Sequence, residues 1–297
     1  MKILVLTSGG DAPGMNMVLA QLYRRFGRSL YAARAGFRGL INNDILPISE
    51  FNPKKYARSA GSCIKCSRCP EFQEEKYFAL ALENAKRFDA VIVLGGNGSQ
   101  RGCRELCKNG VRAVFIPSTI DNDVVGSDYS QGFHTAVSAC TRVIDNVMPS
   151  MEAFNRCCLI EVMGRYCGAI ARNVFHVREC DYLIARDEDV DYDKIMPIVN
   201  EKHQSSHSSC IIVKEKLSVS LDEIAKEITL RAPNIEVSKM TVGYLQRGTA
   251  PTFIDIEFAC QFAQHAAKVI LKTNKSASIL ARSGEIVIEY YDEENEI

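Results

Sequence analysis

The residues best suited to chemistry lie in segment 117–123, which reads Pro-Ser-Thr-Ile-Asp-Asn-Asp. It follows an apolar run, residues 111–116, that predicts a buried strand. In an open α/β sheet, ligands bind at the carboxyl ends of the strands, where this segment would lie. A carboxylate there, such as Asp121, can accept a proton from a substrate hydroxyl that attacks a phosphoryl group. The alternative is a simple turn, because Asp and Asn hydrogen-bond their own backbone in turns.

Two glycine-rich loops favour the chemical interpretation. Residues 7–16 read Thr-Ser-Gly-Gly-Asp-Ala-Pro-Gly-Met-Asn, and residues 95–99 read Gly-Gly-Asn-Gly-Ser, with Gly102 opening the next helix. Each loop follows a predicted strand and precedes a predicted helix, an arrangement that presents backbone N–H groups to a phosphate. The first loop matches neither the dinucleotide fingerprint nor the Walker pattern. Two such loops in one sheet can flank a single polyphosphate.

Three cysteines, Cys63, Cys66 and Cys69, have a spacing that is also found in metal sites. Iron–sulfur and zinc sites need four ligands, and no further C-x-x-C pair occurs in the chain. The sequence therefore favours cysteines that fill small-residue positions of a loop, and their role stays open.

The hydrophobic pattern predicts the elements that position these segments. Strands are expected at 2–6, 89–94, 111–116, 157–162, 182–185, 210–213, 278–282 and 285–290, with a further strand in 240–248 that leads to a turn. Helices are expected at 17–26, 75–86, 132–147, 221–230 and 256–271. Residues 36–40 read as a turn, and the acidic residues 292–296 as a solvated end. Strands that alternate with helices indicate an α/β chain with mostly parallel sheets.

The composition excludes several functional classes. The 297 residues include 36 Lys and Arg and 36 Asp and Glu, a balance that supports neither nucleic-acid nor membrane-surface binding. No apolar run approaches the roughly 20 residues of a membrane span, and the amino terminus is too short for a signal-peptide core. The twelve cysteines are scattered and several lie in apolar runs, so we expect a reduced, cytoplasmic protein.

The motifs together resemble the phosphofructokinase family, particularly its short bacterial type. The matching segments are T-S-G-G-D-A-P-G-M-N at 7–16, P-x-T-I-D-N-D at 117–123, E-V-M-G-R-Y-C-G at 161–168 and Q-R-G at 246–248. They occur in the family's order over almost the whole chain, and in combination they are very specific.

The resemblance implies two doubly wound, mostly parallel-sheet α/β domains with the active site in the cleft between them. Residues 1–132 plus 246–297 would form a larger, discontinuous nucleotide-binding domain, and residues 133–245 a smaller sugar-phosphate-binding domain. The implied activity is that of an ATP-dependent 6-phosphofructokinase, which transfers the γ-phosphoryl group of ATP to the 1-hydroxyl of fructose 6-phosphate in glycolysis.

The resemblance also assigns catalytic roles. Asp121 would take the proton from the sugar 1-hydroxyl, and Asp123 beside it would position substrate and metal. Thr119 would contact the sugar, and Arg165 would neutralise charge on the transferring phosphoryl group. The metal would be Mg²⁺, held at Asp123 and weakly at Asn97.

Binding residues follow from the same matches. The nucleotide would contact Gly10, Arg68, Gly96, Asn97, Gly98, Ser99 and Gly102. The sugar phosphate would contact Arg156, Met163, Gly164, Glu215, Tyr244 and Arg247, together with Thr119, Asp121 and Arg165. Because Arg156 matches an arginine that reaches the sugar phosphate across a subunit boundary, a homodimer or homotetramer is implied.

Several positions depart from the family pattern. Asn97 replaces an Asp and so lacks the charge that favours Mg²⁺. Gly98 favours ATP over diphosphate as donor, whereas Ser118 favours neither. Tyr244 replaces a His and Ser238 an Arg of the 6-phosphate site, although Lys239 is adjacent. Two alternatives therefore stay open: a weakly active or non-catalytic paralogue with a binding or regulatory role, and a kinase for a different ketose or ketose phosphate.

Overall fold

The computed structural model describes residues 1–291, which form eleven β-strands and eleven α-helices. The strands are β1 (Ile3–Thr7), β2 (Leu30–Ala33), β3 (Ile45–Pro47), β4 (Ala90–Gly95), β5 (Ala113–Pro117), β6 (Cys157–Val162), β7 (Tyr182–Ile184), β8 (Ser209–Lys214), β9 (Val237–Thr241), β10 (Ala277–Arg282) and β11 (Glu285–Tyr290). The helices are α1 (Met15–Phe26), α2 (Phe37–Ile41), α3 (Pro53–Tyr56), α4 (Glu75–Ala85), α5 (Asn97–Lys108), α6 (Phe133–Glu152), α7 (Ala169–Arg178), α8 (Tyr192–Gln204), α9 (Leu221–Arg231), α10 (Leu245–Gly248) and α11 (Phe253–Lys272). The acidic segment 292–296 lies outside the described residues.

The chain divides into two compact units. Unit 1 contains Met1–Thr135 and the segment that begins at Arg247, and unit 2 is Ala136–Gln246. Unit 1 is thus discontinuous in sequence, and one junction falls in the first turn of α6.

Unit 1 contains a seven-stranded sheet in the order β11-β10-β5-β4-β1-β2-β3. Its five inner strands are parallel to one another, and the two edge strands, β3 and β11, pair antiparallel with their neighbours. Side chains alternate between the two faces of a strand, yet every residue of β1 and β4 is buried. Both faces are therefore covered, and this is why these strands read as continuous apolar runs.

The two faces of this sheet have different helical layers. Leu4, Val93 and Phe115 share one core cluster with residues of α2, α4 and α5, such as Phe37 and Leu106. Helices α1 and α11 contact each other and cover the other face. A helical layer therefore covers each face, and the strands between them hold the ends of β1, β4 and β5 in fixed register.

Unit 2 has a four-stranded parallel sheet in the order β7-β8-β6-β9. On one face, Leu159 and Ile211 pack with α8 and α9, through residues such as Ile195 and Ile228. The expected α/β class with mostly parallel sheets is therefore confirmed in both units.

Some elements differ from the sequence prediction. Strand β9 ends at Thr241, and Arg247 lies in the short helix α10 rather than at a turn after a strand. Residues 37–41 form α2 instead of a turn. Strands β2 and β3 and helices α7 and α8 were not predicted. None of the helices in the described part of the chain is both long enough and apolar enough to cross a membrane.

Candidate active site

Three strands of unit 1 end side by side at one edge of the sheet. Thr7, the last residue of β1, is opposite Leu94 of β4, and Gly95 of β4 is opposite Pro117 of β5. Parallel strands bring their carboxyl ends to the same edge, where α/β proteins bind ligands. Both glycine loops and the acidic turn therefore start from this edge.

The first glycine loop is held by backbone bonds to its neighbours. The Ser8 N–H donates to the Leu94 carbonyl and the Gly9 N–H to the Ser67 carbonyl, both at 2.9 Å. At Gly10, an added Cβ would lie 2.6 Å from Arg247 Nη1, which donates to the Asp11 carbonyl at 2.7 Å. Only glycine allows this approach, so the Arg247 guanidinium lies against the first loop.

The second glycine loop packs directly on the first. The Ser99 hydroxyl donates to the Ser8 carbonyl at 3.3 Å, and a Cβ on Gly95 would lie 2.2 Å from Ser99 Oγ. Helix α5 begins at Asn97, and its N-cap, Gly96, has no side chain to accept the first-turn N–H groups. Such uncapped N–H groups, with the positive end of the helix dipole, form an anion site.

The segment that carries Arg68 is anchored to the same loop. Thr7 Oγ1 donates to the Lys65 carbonyl at 2.8 Å, and the Ser67 carbonyl accepts the Gly9 N–H. Arg68 itself is exposed, one residue beyond these bonds. The backbone at Arg68 is thereby held close to the first glycine loop.

The acidic turn is built around Asn122, which has a left-handed backbone with φ of 52°. Its amide nitrogen donates to the Asp128 carbonyl at 3.1 Å, and its oxygen accepts the Ser130 N–H at 2.8 Å. Thr119 and Asp121 are buried, with 9% and 6% of their surface exposed, whereas Asp123 is exposed. Asn122 therefore has a structural role: its side chain holds the turn that carries Asp121 and Asp123.

Asn97 connects the acidic turn to helix α5. Its amide nitrogen donates to the Asp123 carbonyl at 2.8 Å, and its oxygen accepts the Val125 N–H at 3.1 Å. One turn later, Gln100 Nε2 donates to the Val125 carbonyl at 3.3 Å. An amide, which has a donor nitrogen and an acceptor oxygen, can bond both the Asp123 carbonyl and the Val125 N–H. A carboxylate could bond only the N–H.

Gly102 does not open a helix but lies within α5, one turn after its start. A Cβ there would be 2.8 Å from Phe37 Cζ and 3.2 Å from Phe72, whose rings stack at 4.1 Å. By contrast, a Cβ on Gly98 would meet only Arg101, at 4.0 Å. Packing requires glycine at 102, and packing does not require it at 98.

Sequence reasoning missed the buried carboxylate that supports this edge, Asp255. It is fully buried at the start of α11 and accepts the N–H groups of Gly132 and Thr135, at 2.6 and 2.8 Å, in the first turn of α6. Tyr129 also donates to it. Burial and the Asp255 charge raise the pKa of Tyr129, so the phenol keeps the proton that it donates. Asp255 thus fixes residues 129–135, which in turn hold Asn122.

Unit 2 presents its own loop, residues 163–168, between β6 and α7. Gly164 and Arg165 both have positive φ, 133° and 50°. Glu215 Oε1 accepts the N–H groups of these two residues at 3.2 and 2.9 Å, and Lys214 Nζ donates to the Arg165 carbonyl at 3.1 Å. The Arg165 side chain is exposed. Glu215 therefore shapes the backbone that presents Arg165.

The start of this loop depends on Gln246, which the sequence analysis placed in the Q-R-G motif without assigning it a role. The fully buried Gln246 accepts the Met163 N–H at 3.1 Å and donates to the Gly243 carbonyl at 3.0 Å. Tyr244, between Gly243 and Gln246, is 81% exposed.

The remaining predicted sugar-phosphate residues have partners within unit 2. Arg156 pairs with Glu236 at 2.7 Å and lies over the Phe154 ring at 4.6 Å. Lys239 pairs with Asp222 of α9. Because neighbouring residues of a strand point to opposite faces, Lys239 cannot take the place of an arginine at position 238.

The residues fit a Mg²⁺ ion only in part. Within residues 1–291, no group of three or more His, Cys, Asp or Glu side chains forms a metal site. Mg²⁺ commonly uses one or two carboxylates together with substrate phosphates and water, and the exposed Asp123 meets that requirement. The Asn97 oxygen is already bonded to Val125 N–H and is poorly suited as a ligand.

The fold and the site define an α/β protein in which two glycine loops and an acidic turn meet at the ligand-binding edge of a parallel sheet. A family model described as "Phosphofructokinase" matches residues 2–270. The chain belongs to the phosphofructokinase family.

Individual relatives agree with this assignment. The chain is 31% identical over 291 residues to the ATP-dependent 6-phosphofructokinase of Streptococcus agalactiae, covering 96% of this chain and 86% of the relative. It is 32% identical over 276 residues to the enzyme of the same name from Photobacterium profundum, covering 91% and 86%.

Solved structures show the same fold. Phosphofructokinase from Saccharomyces cerevisiae superposes with a TM-score of 0.85 at 24% identity, covering 97% of this chain. This chain spans only 44% of the yeast chain. The pyrophosphate-dependent phosphofructokinase from Marinobacter aquaeolei gives 0.79 at 16% identity, covering 98% and 82%.

Proposed function

We propose that this chain is an ATP-dependent 6-phosphofructokinase that phosphorylates the 1-hydroxyl of fructose 6-phosphate in glycolysis. The observation that carries the proposal lies within unit 1: the buried Asp121, in a turn held by Asn122, is next to the uncapped start of α5. The Gly96 Cβ position is 3.5 Å from Thr119 Cβ, so the turn and the second glycine loop are in contact. This contact supports the assignment of Asp121 as a base beside an anion site, the arrangement that phosphoryl transfer requires.

In this proposal, Asp121 accepts the proton of the attacking hydroxyl, and Thr119 orients the sugar. The backbone N–H groups at Gly10 and 96–98 hold the donor phosphates, and Arg68 bridges them, while the Ser99 N–H and hydroxyl hold the second glycine loop through the Gly96 and Ser8 carbonyls. These groups stabilise charge with little rearrangement because the surrounding hydrogen bonds already fix the loops. From unit 2 we assign Arg165 to the transferring phosphoryl group, since guanidinium matches phosphate oxygens in charge and geometry.

We assign Mg²⁺ to Asp123 rather than Asn97. When bound, the ion would neutralise charge on the donor phosphates. The role of Asn97 is then to hold the backbone of residues 123–125, and with it the direction of the Asp123 side chain.

ATP is the proposed donor. Gly98 supports this choice, because a Cβ there would meet only Arg101, at 4.0 Å, and packing does not require a glycine there. The curated relatives cited above are named ATP-dependent enzymes, and this supports the same choice. The alternative donor is diphosphate, and the assay below distinguishes it from ATP.

The sugar phosphate is assigned to Arg156, Met163, Gly164, Glu215, Tyr244 and Arg247. Arg156 would exchange its Glu236 partner for the phosphate, and we propose that it acts across a subunit boundary in a cytoplasmic homodimer or homotetramer. Ser238 and the Asp222-bound Lys239 leave fewer cations for a 6-phosphate than the family pattern provides. This observation favours the second candidate, a weakly active or non-catalytic paralogue or a kinase for another ketose.

A coupled assay tests the proposal directly. Purified protein is supplied with ATP or diphosphate and with fructose 6-phosphate, other ketose phosphates or unphosphorylated fructose, and Asp121→Asn serves as the catalytic control. We expect turnover with ATP and fructose 6-phosphate that the variant abolishes. Preference for another acceptor would move the assignment to a different ketose. No turnover with any pair, despite measured nucleotide binding, would overturn the enzymatic proposal and select the paralogue.

A further inference from the structure

A cavity of 220 Å³ lies in unit 2, and its lining contains none of the residues assigned to catalysis. Two thiols line it, Cys180 between α7 and β7 and Cys210 in β8. The cavity exceeds by several-fold the roughly 30 Å³ that a water molecule occupies in the liquid. Small polar molecules can therefore reach both thiols, although only 9% and 5% of the two residues is exposed.

The two thiols are in contact with each other. Cys210 Sγ donates to Cys180 Sγ at a sulfur–sulfur distance of 3.7 Å. Asp181 fixes the backbone next to them, because its N–H donates to the Cys210 carbonyl at 2.9 Å and its carboxylate accepts the Cys210 N–H at 2.7 Å. Asp181 therefore ties Cys210 to the segment just before β7, where Cys180 is the preceding residue.

The contact between the two sulfur atoms suits a disulfide. A disulfide bond is about 2.05 Å long, so the sulfur atoms, now 3.7 Å apart, need to approach each other by less than about 2 Å. Because Cys180 precedes β7, a bond between Cys180 and Cys210 could form without separating β7 from β8. Oxidation of a single thiol to a sulfinic or sulfonic acid would instead need space for the added oxygen atoms.

One of the two thiols is the better nucleophile. The hydrogen bond from Cys210 lowers the pKa of Cys180, and the charge of Arg178 acts in the same direction. Arg178 and Lys202 also line the cavity, where they pair with Asp145 and Asp181 respectively. A thiolate rather than a thiol reacts with oxidants, so the first attack is assigned to Cys180.

We propose that Cys180 and Cys210 form an oxidation site, at which a hydroperoxide joins them in a disulfide. The Cys180 thiolate attacks one peroxide oxygen, the O–O bond breaks, and the product is a sulfenic acid; with hydrogen peroxide and one proton, water leaves. Cys210 then attacks the Cys180 sulfur, the S–O bond breaks, and a second water leaves. Two thiols lose two electrons in total, and the peroxide gains them.

The site does not depend on the proposed kinase activity, so its test measures peptide masses by mass spectrometry and not enzyme turnover. The folded, full-length protein is exposed to hydrogen peroxide, quenched, denatured, alkylated without reductant and digested. We expect a linked peptide pair that contains Cys180 and Cys210, the loss of both alkylated peptides, and the return of both after reduction. Cys180→Ser and Cys210→Ser should each abolish the linked pair.

Cys157→Ser is the matched control, because Cys157 is a buried thiol of the adjacent strand β6 whose register partner in β8 is Ser209, whereas Cys158 lies opposite Cys210 and is not independent of the pair. It should leave the linkage unchanged. A result in which Cys180 and Cys210 stay alkylated while peroxide modifies Cys63 or Cys66 would overturn the proposal. So would a linkage that forms only when the wild-type protein is unfolded before oxidation, a comparison that needs no variant.

Discussion

Replacement of Asn97 separates two explanations for an amide at a position where the family has an acid. If Asn97 is a weak metal ligand, Asn97→Asp restores charge and raises activity. If Asn97 instead holds residues 123–125, the same change removes the donor to the Asp123 carbonyl and places a carboxylate against it. The geometry favours the second explanation, so we expect Asn97→Asp to lower activity.

The size of the effect follows from the two bonds. Each contributes about 0.5–1.5 kcal/mol net. Asn97→Ala removes both, roughly 1–3 kcal/mol, which is about 5- to 150-fold in kcat/KM if the loss falls on the transition state. Asn97→Asp removes one, which gives a decrease of roughly 2- to 13-fold. The helix dipole favours an acid at this position, so Asn97→Asp should fold as stably as the wild type.

The assay combines initial rates over a range of Mg²⁺ concentrations with hydrogen exchange. Exchange of the Val125 amide should accelerate in Asn97→Ala, which lacks the acceptor, and stay slow in Asn97→Asp, which keeps it. Asn173→Asp, the same chemical change on the exposed surface of α7, controls for the added charge.

One result would refute the reasoning. If Asn97→Asp were more active than the wild type at limiting Mg²⁺, the residue would act on the metal, and its bonds to residues 123–125 would be incidental. The exchange measurement keeps the test informative even if no acceptor sugar supports turnover.

Three further expectations concern stability and binding. Gly98→Ala should keep the melting temperature but weaken ATP binding in calorimetry, whereas Gly102→Ala should lower stability by roughly 1–3 kcal/mol because its Cβ meets Phe37; equal effects on both would contradict the two assignments. Asp255→Ala should cost roughly 2–6 kcal/mol in denaturant unfolding, since the buried N–H groups of Gly132 and Thr135 both lose their acceptor; a variant as stable as the wild type would show that Asp255 is dispensable. The pKa of Glu152 is lowered from 4.5 to about 2, because its carboxylate accepts hydrogen bonds from the Ser208 hydroxyl, from His207 and from the Ser208 N–H. The stabilisation from Glu152 is therefore complete above pH 4.5 and is lost as the pH falls towards 2. Glu152→Gln should therefore lose less stability than the wild type as the pH falls from 4.5 towards 2, measured by denaturant unfolding at each pH. If the stability of the variant depended on pH as that of the wild type does, Glu152 would not contribute.

The buried strands were predictable because they are covered on both faces. Residues 157–162 were expected as a strand and form β6, and the expected 89–94 became Ala90–Gly95. The short strands β2 and β3 lacked such a signal: β2 has two alanines in four residues, and β3 is an edge strand that ends in proline. Helix α8 contains Pro197, which argues against a helix in a sequence pattern.

The candidate site was predictable where one short segment carries all the information. The glycine loops and the acidic turn were found as motifs, and parallel strands were expected to bring their ends to one edge. The supporting residues were not, because their partners are distant in sequence. Asp255 lies 120 residues from Thr135, and Gln246 lies 83 residues from Met163. Only the signal for a helix start, Thr252 followed by Asp255, was visible locally.

The discontinuous course of unit 1 has a consequence for synthesis on the ribosome. Strand β5 can pair with its second neighbour, β10, only after residue 277 has emerged. The Ala113 N–H likewise finds its acceptor, the Ser276 hydroxyl, only when the chain is 163 residues longer. All of unit 2 is translated in that interval and can form its sheet first. During this time β5 exposes an unpaired, apolar edge, the kind of surface that joins nascent chains to one another. Chaperone dependence during translation should therefore be concentrated between residues 117 and 277.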